Sequence, residues 1–152
     1  MKLAVALQGR NDLNKKIVQL NYRLELNAVV QDGEKTGENP EELLEELNEC
    51  YRNLEDLIGR INKTNCQTIT SYNNLSLTEL IAKKDVLMQK INSYRALADT
   101  ASNLVTRVSR SEIKILSNVD VKKIQKDIDK MSKELRLVEN TIEETNWQIE
   151  LI

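Results

Sequence analysis

An all-α protein, an antiparallel four-helix bundle of long helices, is the fold class that three observations predict. First, the apolar residues of the last stretch fall at Val121, Ile124, Ile128, Met131, Leu135, Val138, Ile142, Ile149 and Ile152. Steps of three and four place them on one helical stripe, with Thr145 the polar member of the seam. Second, Phe is absent, Pro occurs once and Gly four times in 152 residues, which suits aliphatic helix packing. Third, Asn39-Pro40 with Glu42, and Ser76 with Glu79, are helix-start signals that divide the remainder. Together they predict one domain, 1–152, with helices over about 2–27, 40–65, 77–108 and 120–152.

The first helix carries the stripe Leu3, Ala6 and Leu7, Leu13, Ile17, Leu20 and Leu24, with Arg10 where an apolar residue is expected. After Val29 and Val30, residues 31–38 contain two glycines and no apolar side chain, the composition of a solvent loop. The second helix repeats Leu44, Leu47, Tyr51, Leu54, Ile58 and Ile61 and turns polar at Asn65. A further row, Leu43, Cys50 and Leu57, widens its apolar face beyond a two-stranded seam. Residues 66–74, rich in Thr, Ser and Asn, read as loop. The third helix has Leu80, Leu87, Ile91, Tyr94, Ala98, Ala101, Val105 and Val108 on its stripe, interrupted by Lys84. Asn118 or Asp120 caps the fourth. Connections this short favour antiparallel neighbours, which puts the first and third loops at one end. There Val29-Val30 and Ile113-Ile115 can pair as a short two-stranded ribbon.

Charge and composition exclude several function classes. Charged residues make up 30% of the chain and nearly cancel, at formal net −2, so there is no basic field to attract nucleic acid. No run approaches the roughly 20 apolar residues of a membrane span. The apolar start meets Gly9 and Arg10 too early for an export signal, and Cys50 and Cys66 lack ligand spacing, which together predict a reduced, cytoplasmic protein. Histidine is absent, which removes Ser-His and Cys-His nucleophiles and the Glu-x-x-His pairs of di-iron bundles.

Three sets of residues could carry chemistry. In an antiparallel bundle Arg10, Asn65, Lys84 and Thr145 all fall towards the end that carries both termini, together with Asn62, Asp85, Glu143, Asn146 and Trp147. Arg10, Asn62, Asn65, Lys84, Asp85, Asn146 and Trp147 are therefore candidates for binding a small anionic ligand. The same layer also serves to fix helix register, as polar seam residues do in coiled coils. At the opposite end Arg107, Arg110 and Lys114 form a weaker candidate anion site, balanced by acidic Asp32, Glu34 and Glu38. Glu41, Glu42 and Glu45 have the E-E-x-x-E spacing of all-helical, magnesium-binding nucleotide pyrophosphohydrolases, but the E-x-x-D of the following helix is missing. Acidic residues there also suit a helix amino terminus without any metal.

Several segments resemble the septicolysin-like family of small bacterial proteins. They include Asn39-Pro40-Glu41-Glu42-Leu43-Leu44, Ile61-Asn62-Lys63-Thr64-Asn65, Leu77-Thr78-Glu79-Leu80, Lys84-Asp85-Val86-Leu87, Ser109-Arg110-Ser111-Glu112-Ile113-Lys114 and Asn146-Trp147-Gln148. The resemblance implies a bacterial helical protein and, through the family's name, a cytolysin. The charged helix faces and the lack of an export signal or a membrane-length pattern argue against that activity. The expectation is a non-catalytic bundle that associates with itself or a partner, with no cofactor, no nucleic acid and no membrane target. Small-ligand binding or metal-dependent nucleotide hydrolysis is the alternative.

Overall fold

Four long helices account for the regular structure: α1 (Leu3–Leu26), α2 (Pro40–Gln67), α3 (Leu77–Ser102) and α4 (Val121–Gln148). The computed structural model describes residues 1–103 and 114–152, and among these there is no strand beyond two isolated bridges. The chain is all-α. Val29, Val30 and Ile115 lie in irregular, exposed backbone, so they form no ribbon, and Ile113 lies outside the described residues. The expected extension of α3 towards residue 108 likewise lies outside them.

Local chemistry sets the helix ends. The Asn39 side chain accepts from the Glu41 N–H at 3.0 Å, with Pro40 at the first helical position. Glu42 reaches the Asn39 side chain at 3.5 Å, so the reciprocal bond of a full capping box is not made to backbone. Ser76 and Glu79 do make the full box: Glu79 N–H donates to Ser76 Oγ at 3.3 Å, and Ser76 N–H to Glu79 Oε2 at 2.7 Å. Asp120 caps α4 by accepting from the Lys123 N–H at 3.1 Å. Between α2 and α3, Asn73 and Asn74 take positive φ, which their short polar side chains tolerate.

Contacts group the chain into two compact units, Met1–Thr68 with Glu144–Ile152, and Ile69–Glu143. In the first, α1 and α2 pack antiparallel. Gly9 lies close to Leu57, Lys16 pairs with Glu46 and Arg23 with Glu38, so the register falls steadily along α2 as it rises along α1. Ile17 and Leu20 meet Leu43, Leu47 and Cys50 in the core. In the second unit, Leu80, Leu87, Ile91 and Ala98 of α3 pack with Ile128, Met131 and Val138 of α4.

The seam of α2 is rotated by one residue from the stripe expected. Leu43, Leu47, Cys50, Ile61 and Thr64 are buried, in steps of three and four once half-buried Leu54 and Leu57 are included. Leu44, Tyr51 and Ile58 stay 48%, 47% and 39% exposed. A two-helix hairpin has one seam, so it covers one of the two apolar rows and leaves the other to solvent.

The fourth helix also ends early. It stops at Gln148 rather than reaching residue 152. The residues that follow turn back along the start of α1, where Lys2 offers no side-chain cap. The Ile149 carbonyl accepts from the Leu3 N–H at 2.9 Å, and the Leu151 N–H donates to the Met1 carbonyl at 2.8 Å. The orphan donors of a helix start thus select an extended backbone over one more helical turn.

Candidate functional site

Each hairpin holds polar side chains within its seam, and the structure sorts them differently from the sequence pattern. In α2 the polar seam residue is Thr64, fully buried, rather than Asn65, which flanks the seam half-buried. Thr64 Oγ donates to the Arg60 carbonyl at 2.8 Å and accepts from the Ile152 N–H at 3.1 Å. Arg60 Nε in turn donates to the Ile152 carbonyl at 2.9 Å. The polar seam position is occupied by internal bonding.

Of the proposed ligand residues, Arg10, Asn62, Asn65, Asn146 and Trp147 belong to the first unit. Arg10, Asn65 and Asn146 are half-buried, while Asn62 and Trp147 are exposed. Lys84 and Asp85 belong to the second unit and pair with each other at 3.5 Å. Among the described residues, every fully buried side-chain polar atom has a partner. Glu41, Glu42 and Glu45 are exposed, and among the described residues no three acidic, thiol or imidazole groups converge as a metal site would require. Lys114 is exposed, and Arg107 and Arg110 lie outside the described residues.

The best-connected polar cluster is one the sequence did not reveal. Tyr72 donates its hydroxyl to Glu134 Oε1 at 2.9 Å, and Lys83 Nζ reaches the same oxygen at 2.8 Å. The ammonium also lies 5.7 Å from the centre of the Tyr72 ring. Hydrogen bonds from Lys83 and Tyr72 hold the Glu134 carboxyl below its usual range, and the bond to Glu134 raises Lys83. Burial, then the carboxylate, pushes the Tyr72 phenol up. These shifts reinforce the charge states already paired, so the cluster staples the turn before α3 to α4 and leaves no free acid or base. An aromatic alone in a Thr- and Asn-rich loop was its one sequence signal.

The cluster gives a pH dependence of definite sign. A carboxyl depressed in the folded state contributes stability above its unfolded pKa, and that contribution disappears as pH falls through the folded value. The melting temperature should therefore fall below about pH 4.3, the ordinary glutamate range. Glu38, Glu46 and Glu150, also depressed by their partners, act in the same direction. Glu134→Gln removes one such group, so its melting temperature should lie below that of the unaltered protein at neutral pH and converge on it in acid. Parallel curves across that range would show that Glu134 does not couple to folding.

Alongside this cluster, a shallow groove of about 240 Å³ runs between α3 and α4. Met88, Ile91 and Leu135 give it an apolar floor, and Arg95, Arg136, Asn92 and Ser132 form its polar edge. Among the described residues neither guanidinium has a carboxylate partner. The groove is therefore apolar within and positive at its rim.

Comparison with known proteins agrees on fold and assigns no activity. The model of a family of unknown function, DUF6847, matches residues 10–151. The chain belongs to that family. A crystal structure of a functionally unknown conserved protein from Corynebacterium diphtheriae is 38% identical, with a TM-score of 0.90, and the match covers 100% of this chain and 99% of the other. No curated protein matches the chain. What this chain and the solved structure share is thus an all-α fold of four helices, and the surfaces that this fold leaves open are where a role can lie.

Proposed function

We propose that this protein works by association, with itself or with a protein partner, and not by catalysis. The carrying observation is the apolar surface left outside the seams. Val18, Tyr22 and Leu26 on α1 follow one another at four-residue spacing and are each more than half exposed. Leu44, Tyr51 and Ile58 add a second row on α2, at seven-residue spacing. Ordered rows that include tyrosines are the kind of surface that protein interfaces use. Four of the six charged residues of α1 avoid its row, where Asn11, Lys15, Gln19 and Glu25 are the polar neighbours.

A cytoplasmic setting fits the two free thiols, buried Cys50 and exposed Cys66. The resemblance to septicolysin-like proteins brings no lytic role into this reading, and no described helix is long and apolar enough to cross a membrane. Native mass spectrometry and sedimentation test the proposal together. A defined oligomer, or a stoichiometric protein complex recovered from cells and rebuilt from purified parts, is expected. A monomer at every concentration with no such partner would overturn it. A rise in melting temperature with a nucleotide and magnesium, accompanied by hydrolysis, would move the reading to the enzyme alternative.

A further inference from the structure

We infer that the associating surfaces are α2 of one copy and the α3–α4 groove of a second copy of this chain. The inference rests on the association reading above and names its two faces. The first face is the row Leu44, Tyr51 and Ile58, with Glu41, Asn48 and Glu55 running beside it at the same seven-residue spacing. Glu41 and Glu55 are exposed and make no ion pair among the described residues. The second face is the groove floored by Met88 and Leu135 and edged by Arg95 and Arg136, equally unpaired. One surface is apolar with an acidic margin and the other apolar with a basic margin.

The dimensions agree. A seven-residue helical repeat is about 10.5 Å, so successive members of the α2 row are separated by the same axial distance as Met88 and Arg95 on α3. An apolar side chain of α2 can therefore enter the groove while a flanking carboxylate reaches a guanidinium. Such Arg–carboxylate pairs are directional and give register to a contact whose apolar part alone would slide.

Charge on the larger scale points the same way. The unit Met1–Thr68 with Glu144–Ile152 has nine Lys and Arg against fourteen Asp and Glu, a net charge of −5. The unit Ile69–Glu143 has thirteen against ten, a net charge of +3. The near-neutral total thus conceals two oppositely charged halves, which steers the acidic half of one copy towards the basic half of another. If two copies exchange this contact reciprocally they form a closed pair, and if not they add head to tail.

Reciprocal charge reversal tests this. Arg95→Glu with Arg136→Glu makes one variant, and Glu41→Lys with Glu55→Lys makes the other. All four positions are exposed, so both should keep their helical circular dichroism. Each variant alone should self-associate about tenfold or more weakly than the unaltered protein, as repulsion replaces attraction at both margins. Mixed in equal amounts they should regain a mixed oligomer, because every groove then meets an α2 of opposite sign. An unaltered protein that is oligomeric, with variants that associate just as tightly, would overturn these surfaces and leave the association reading standing. Weakened variants that fail to recover on mixing would also overturn them. A monomeric unaltered protein would overturn this contact between copies and leave association with a different protein as the only form of the reading above.

Discussion

Leu43→Ala should cost about 2–5 kcal/mol of stability, and Leu44→Ala about 1 kcal/mol or less, although the two leucines are adjacent. Leu43 is 4% exposed within the α1–α2 seam, and Leu44 is 48% exposed one helical position away. Truncation at a buried site loses the transfer energy of the deleted atoms and leaves a cavity, whereas a half-exposed site has less to lose and can be refilled by water. Urea unfolding of both variants, at concentrations too low for association, measures the difference directly. The pair is informative because sequence patterning assigned Leu44 to the main stripe and Leu43 to a second row. Equal costs would place both rows in contact within one chain and would remove α2's outward surface. At concentrations where copies associate, the Leu44 cost should grow, since binding to the folded state adds to its apparent stability. Leu43 should show no such dependence.

Much of the fold was legible because its determinants are local. The cap residues Asn39, Ser76 and Asp120 act within three positions of themselves, so their side chains announce the helices in the sequence. The three-four spacing of α4 needs one partner helix and has one solution. The α2 face offered two parallel rows, and the choice between them depends on where α1 crosses, which no local pattern encodes. The expected stripe makes Asn65 its polar interruption for the same reason. With the seam rotated, that place belongs to Thr64, whose hydroxyl serves a backbone donor 88 residues away. Tyr72 and Glu134 are likewise 62 residues apart, and their pairing exists only once α4 lies along α3. The groove edged by Arg95 and Arg136 was invisible because single arginines on exposed helix positions are ordinary. The split of charge between the units needed both unit boundaries, of which one follows α2 at Thr68 but the other runs through a helix, within α4 at Glu143.

Ending the chain at Gln148 should destabilise it by roughly 3–7 kcal/mol, because backbone pairing and a buried side chain are lost together. Leu151 is buried, and burying a leucine contributes about 1.5–3 kcal/mol. The backbone of this segment also accepts from Leu3, donates to Met1 and donates to Thr64, each bond contributing about 0.5–1.5 kcal/mol net. The accompanying ion pairs are a different matter. Glu150 accepts from the terminal ammonium at 2.7 Å and from Lys2 at 3.0 Å, yet all three groups are largely in water, where such pairs contribute little. Glu150→Gln should therefore be nearly neutral at pH 7 while the shortened chain is severely affected. Thr64→Val separates the remaining parts. It keeps the volume of the side chain but leaves the Ile152 N–H without its acceptor, at about 1–3 kcal/mol. Thermal melts of the three variants in low and high salt distinguish the contributions, since salt weakens only the ionic one. A shortened chain as stable as the full one would mean that the α1–α2 hairpin holds without this strap. A Glu150→Gln loss matching the truncation would instead make the ion pairs the principal fastening.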